Sequence, residues 1–279
     1  MFKIVFYKMN CPIKDISVQE CDATGDAITI LRRAIKKYQS IFIRAGHITL
    51  FLLPLYMFAQ SGHVTLQFKN VVGDKVLNTD SVYTNSFGES FTVRSFRYYI
   101  SNIILTDKIN NQSQSFTGSY YLVDENVDSS KIISLITSLE NISSIHFLLG
   151  VDSIKNVSGV QAGTLDPARG MFWTWNTGYV MAKLEGNSPV AKTPAHAFSY
   201  HVGGYKTNEQ TARDINLDLG KNIPTGKDFV ITVKADIMKW FNSVHNIKIS
   251  EQSFCHEPGT LATNIADNYA NMFTVIALQ

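Results

Sequence analysis

The chain has 279 residues, 25 Lys and Arg against 23 Asp and Glu, a formal net charge of +2 and three cysteines. The charge is unevenly spread: residues 1–60 hold eight basic against four acidic side chains, while residues 61–279 hold seventeen against nineteen, a net of −2 with no basic stripe. That balance excludes a nucleic-acid-binding role for the larger part, and so few cysteines exclude a disulfide-stapled scaffold.

Arg32, Arg33, Lys36, Lys37 and Arg44 lead into an apolar run from Ile48 to Ala59. A basic stretch followed by a short apolar one is the pattern of a secretory signal. The run is too short to span a bilayer, which takes roughly 20 apolar residues, and it carries Pro54 before stopping at Gln60. Ala59 and Ser61 form a small-x-small pattern, so cleavage is expected between Ala59 and Gly62. The expected organisation is a leader over residues 1–61 and one domain over 62–279, with the product periplasmic or secreted and not inserted in a membrane. The leader is long for its class, which a misassigned start between Leu31 and Ile43 accounts for; an amino-terminal anchor helix is the alternative. Cys11 and Cys21 lie in the leader, leaving Cys255 with no partner for a disulfide.

Beyond the leader, Val64, Leu66 and Phe68 alternate with Thr65 and Gln67, the period-2 signature of a half-buried strand. Further strands are predicted over residues 96–105, 120–123, 145–149, 171–184, 198–202 and 229–235. Turns are predicted at residues 72–74, 109–111, 185–187 and 224–226. Helix is predicted over residues 130–139, with Ser129 or Ser130 as N-cap, and over 237–241 and 262–272. Many short strands joined by polar turns predict a mostly β fold, an antiparallel β-sandwich or open barrel with a few short helices.

The segment Gly163 to Tyr179 contains Trp173 and Trp175 at i, i+2. On one strand both rings would project from the same face, about 6.6 Å apart along the chain, together with Met171. Read from chemistry alone, such a cluster is an aromatic core beneath a sheet. Among the histidines, His146 alternates with Ile145 and Phe147 and reads as a partly buried, hydrogen-bonded ring. Cys255 and His256 are adjacent; neighbouring residues of a strand face opposite ways, so Cys255 reads as a buried thiol. Asp152 and Asp166 read as turn formers. Arg97, Glu185 and Asp214 read as structural ion-pair or capping groups.

The block Gly170 to Tyr179, with Glu185 and Gly186 after it and the His201-Val-Gly-Gly204 element downstream, resembles the MbnP-like family of exported copper-binding proteins, related to the methanotroph proteins MopE and CorA. Supporting matches are Arg97 to Asn102, Leu149 to Ser153 and Asn268 to Phe273. The resemblance covers essentially all of residues 63–279 and none of the leader. It implies a cuprous site held by imidazoles and by a kynurenine made by oxidising a Trp, with a di-haem peroxidase-type partner as oxidant. An intact indole N–H only donates, whereas the opened ring carries an amine with a free lone pair. The resemblance makes His201 the first candidate ligand, with Trp175 slightly ahead of Trp173 as the modified residue; His63 is the second candidate ligand, because processing would leave it nearly amino-terminal, with an imidazole and an α-amino group available to a metal.

No Gly-x-Ser-x-Gly, His-Glu-x-x-His or glycine-rich phosphate loop is present, so the chain is not expected to be an enzyme. Two other readings remain at this point: a metal-free β-sandwich interaction or adhesion module, and a glycan-binding or hydrolytic module that uses the Trp pair as a sugar platform.

Overall fold

The period-2 pattern of the first strand recurs in further strands among the described residues. The computed structural model describes residues 61–175 and 178–279. The expected leader over residues 1–61 lies, apart from Ser61, outside them. The strands are β1 Gly62–Val72, β2 Lys75–Val76, β3 Tyr83–Thr84, β4 Ser90–Asp107, β5 Gln112–Asp124, β6 Ile132–Thr137, β7 Asn141–Leu149, β8 Phe172–Trp173, β9 Gly178–Asn187, β10 Ala197–Gly203, β11 Arg213–Pro224, β12 Phe229–Asp236, β13 Phe254–Cys255 and β14 Phe273–Leu278. Among the described residues three short α-helices accompany them: α1 Ser153–Val157, α2 Met238–Phe241 and α3 Thr260–Tyr269.

The strands form two sheets. The smaller runs β14-β12-β1-β2, with β6 also paired to β1; the larger runs β11-β7-β4-β9-β10-β13, with β3 and β5 on β4 and β8 on β9. The mostly β sandwich expected from the sequence is present, but its sheets are mixed rather than wholly antiparallel. β1 pairs with β12, and β10 with β13, in parallel. Tight turns force antiparallel pairing only on successive strands, and these partners are remote in the chain, so no hairpin dictates their direction.

Burial follows the alternation. In β1, Val64, Leu66 and Phe68 face inward while His63, Gln67 and Lys69 face solvent. Phe68 meets Phe273 of its own sheet and Tyr98 and Phe147 of the facing sheet, all edge-on at 6.1 Å between ring centres, the arrangement that aromatic quadrupoles favour. Trp240 of α2, fully buried, closes one end against Phe96 and Tyr269.

Two local expectations are corrected. Residues 132–137 are strand β6 and not a helix: Ile133, Leu135 and Thr137 are buried, Ile132, Ser134 and Ile136 exposed, and Val64 opposes Leu135 across β1. The apolar residues fit both periods, and β-branched isoleucine with an open flank on β1 decides for strand. Residues 185–187 do not turn either; they continue β9 between β4 and β10. Gly186 is needed there for close approach, because a Cβ would lie 1.8 Å from the Thr92 carbonyl oxygen and 2.8 Å from the Phe198 ring. Gly186→Ala is therefore expected to force β4 and β9 apart at a cost of about 1–3 kcal/mol, read as a lower urea midpoint; a wild-type midpoint would contradict the close approach.

Candidate functional site

The outward residues of the larger sheet carry the chemistry. Tyr98, Tyr200 and Val202 point to the inter-sheet core, so their neighbours Tyr99, His201 and Gly203 fall on the opposite face. Part of that face has its own small core. Tyr99, Val151, Leu165, Met171, Trp173, Tyr179, Val180, Met181 and Ala212 pack together beneath the segment that follows β7. Three groups pin this segment: the Tyr179 hydroxyl donates to the Leu165 carbonyl (3.0 Å), the Tyr99 hydroxyl donates to the Thr164 carbonyl (3.2 Å), and the buried Asn156 side chain accepts the Tyr179 N–H (2.8 Å). Asp152 caps α1 by accepting the Lys155 N–H, and Asp166 accepts the Ala168 N–H, so both act as turn and cap formers.

The expected single strand over residues 171–184 is instead a hairpin, β8 and β9, with Trp173 opposite Gly178. The two Trp side chains therefore differ. Trp173 is in the strand and 7% exposed; Trp175 is in the turn and 64% exposed, its ring 5.3 Å from that of Trp173. The six-membered ring of Trp173 packs against Gly203, where a Cβ would come within 2.7 Å of the indole. This is the reason for glycine in the His201-Val-Gly-Gly204 element. Gly204 beside it has φ of +144°, which only glycine adopts freely.

On the same face His201 sits across from Lys183, and Ser199 across from Glu185 and Phe254. Glu185 Oε1 accepts from His201 Nε2 at 2.7 Å and has Lys183 Nζ at 3.5 Å, while Arg94 lies 3.8 Å from Oε2. His256, just past β13, stacks on His201 with ring centres 3.8 Å apart and planes 15° from parallel. Its Nε2 is 2.7 Å from Ser199 Oγ. His256 and Trp175 line one cleft of about 320 Å³ with Phe254 and Pro258.

Burial lowers the His201 and His256 pKa values, His256 to about 4 with the neighbouring His201 adding to the effect, so both rings are neutral near pH 7. Glu185 is held down to about 2, mainly by the His201 hydrogen bond and further by Lys183. Two neutral imidazoles, each with one nitrogen engaged at Nε2, suit a soft or borderline metal. Among the described residues no group of three or more His, Cys, Asp or Glu is arranged to hold a metal, so the imidazole pair offers two nitrogens rather than a full cage of ordinary ligands.

Of the residues singled out in the sequence, the structure brings His201, Trp173 and Trp175 to one region and leaves His63 elsewhere, exposed on the outer face of the smaller sheet. Glu185, the ion-pair group expected from the sequence, and His256, noted there only as the neighbour of Cys255, also enter the site. The alternation that turns Cys255 inward, 4% exposed, is the signal that turns His256 outward. His146 is hydrogen-bonded to Asp214 at 3.0 Å, as its alternation predicts, and Arg97 pairs with Asp124 at 2.9 Å.

A family model described as MbnP matches residues 61–257, a span that includes both Trp and both stacked His residues. Among solved structures, MbnP from Methylosinus trichosporium is similar at 16% identity and a TM-score of 0.46, covering 67% of this chain and 80% of that one. Comparison with curated proteins returns no match.

The Trp pair divides in stability. Trp173→Ala is expected to cost about 3–5 kcal/mol by opening a cavity against Gly203, and Trp175→Ala to stay within about 0.5 kcal/mol, both read from urea unfolding. Acid also weakens the site. The neutral His256 contributes stability above its ordinary 6.5 that is lost as pH falls toward 4, and the Glu185 carboxylate contributes stability above 4.5 that is lost toward 2. The metal-free protein should thus show a urea midpoint that declines from pH 7 to 4, with the decline flattened in His256→Asn; equal slopes in the two proteins would contradict the burial of that ring.

Proposed function

This chain belongs to the MbnP family, and on that premise we propose that it is an exported copper-binding protein for acquisition, storage or delivery of cuprous copper rather than an enzyme. Family membership supports a copper-associated role at the level of the family. The observation that carries the finer reading is the stacked His201–His256 pair beside an exposed Trp. Two neutral nitrogens favour a low-charge, soft cation over calcium or magnesium, which take oxygen ligands. Glu185, the nearby carboxylate, is already engaged by His201 and Lys183.

The third ligand on this reading comes from Trp175, oxidised to kynurenine by a di-haem peroxidase-type partner. Its exposure leaves it open to such a partner, it lines the cleft that His256 lines, and changing it removes nothing from the core, whereas Trp173 is packed on Gly203. Kynurenine, when formed, supplies an aromatic amine nitrogen where indole offers only a donor. His63, on the outer face of the other sheet, is not part of this ligand set. The basic and apolar leader supports a periplasmic or secreted location, and among the described residues no helix is long and apolar enough to cross a membrane.

Competition with a chromophoric Cu(I) chelator tests the site. His201→Ala and His256→Ala are each expected to weaken Cu(I) binding on the order of tenfold or more, since a ligand should cost at least what its supporting group costs; wild-type affinity in both variants would remove the copper assignment. Peptide mass spectrometry tests the ligand separately. The Trp175 peptide should lose one carbon and gain one oxygen only when the protein is made with the oxidising partner, and intact Trp at both positions in copper-loaded native material would leave a site without kynurenine.

A further inference from the structure

We propose that the Glu185 carboxylate sets the tautomer of both stacked imidazoles, His201 directly and His256 through the Ser199 hydroxyl, so that each ring carries its proton on Nε2 and keeps Nδ1 as its free lone pair. The use assigned to those lone pairs rests on the copper reading; the proton positions do not. Glu185 is an acceptor only, and its Oε1 lies 2.7 Å from His201 Nε2, so that nitrogen bears the hydrogen. Ser199 stands across from Glu185 in the β9–β10 register and shares the outward face with His201 two residues on. Its Oγ lies 2.7 Å from His256 Nε2, 3.2 Å from His201 Nε2 and 3.5 Å from Glu185 Oε1.

A hydroxyl has one proton to give. Donated to His256 Nε2, it would leave that ring protonated on Nδ1 with no lone pair outside the hydrogen-bond chain. Donated to the carboxylate, a charge-assisted acceptor, it frees the hydroxyl lone pairs to accept His256 Nε2–H. The chain then runs His256 to Ser199 to Glu185, with His201 donating to the same oxygen. Lys183, on the same oxygen, and Arg94, on Oε2, hold the carboxylate negative. This is the arrangement in which a carboxylate beyond the ligands fixes ring orientation and raises ligand basicity. Glu185 and Ser199 are positioning residues in it and touch no metal.

Long-range ¹H–¹⁵N NMR of the imidazole rings in the metal-free protein reads the proton positions. Both rings are expected as Nε2–H in the wild type. Ser199→Ala should leave His201 unchanged and release His256 to a mixture, while Ser199→Thr, which keeps the hydroxyl, should retain both. Glu185→Leu should release both rings, and Glu185→Gln, whose carbonyl oxygen still accepts, should retain His201. His256 protonated on Nδ1 in the wild type, or both tautomers unchanged in a folded Glu185→Leu protein, would overturn the proposal. Titration with Ag(I), a redox-inert probe for cuprous sites, adds the second readout: Glu185→Leu and Ser199→Ala should weaken binding roughly 10- to 100-fold, with Ser199→Thr close to wild type. Tautomers as stated with no Ag(I) binding would sink the copper reading and leave the positioning intact. Ag(I) binding through His201 and His256 with the tautomers otherwise would do the reverse.

Discussion

The packing of two inner sheet faces around Phe68 is the constraint on which the rest of the molecule depends. Phe68 and Phe273 from one sheet meet Tyr98 and Phe147 from the other, and none of these positions can slip by one residue without turning an aromatic ring into solvent. A strand registered by its inner face is registered on its outer face too. Tyr98 therefore determines where Tyr99 points, and Tyr200 does the same for His201. The outer surface of the larger sheet inherits its precision from a core it does not touch.

That outer surface is not left bare. The segment after β7 folds over part of it, and Trp173 reaches across to lie on Gly203, so a second small core grows beside the imidazole pair. Rigid strands hold His201, Ser199 and Glu185, whereas Trp175 stands in the adjoining turn and stays exposed. Side chains on strands are held more tightly than those on turns. The division gives one part of the site to preorganised imidazoles and the other to an accessible aromatic ring.

The electrostatics agree with this division. Partial burial keeps both imidazoles neutral, while the one carboxylate among them stays charged because it collects a ring N–H, a Lys and an Arg. A buried or half-buried charge is tolerated only when it is paired and hydrogen-bonded, and Glu185 is both. Two neutral imidazoles beside a carboxylate that is already paired offer nitrogen rather than free carboxylate oxygen to a cation.

Local period and composition by themselves determined a great deal. The alternation at Val64, Leu66 and Phe68, the turn at Gly73, the short helices near Trp240 and Ala262 and the turn-forming roles of Asp152 and Asp166 are all legible without coordinates, because each depends on residues close in the chain. So is the importance of the Gly170 to Gly204 region, where two Trp and a His-Val-Gly-Gly element stand out from an otherwise ordinary β pattern. Tertiary structure alone decided what depends on partners remote in sequence. Ile132 to Thr137 became a strand because β1 offered it an open edge, and Gly186 was required by the Thr92 carbonyl rather than by a turn. His256 joined His201 because β13 pairs in parallel with β10, and His63 was separated from them because β1 belongs to the other sheet. Strand pairing at long range carries no signature in the neighbouring residues, so the composition of a site assembled across strands could be read only from the folded chain.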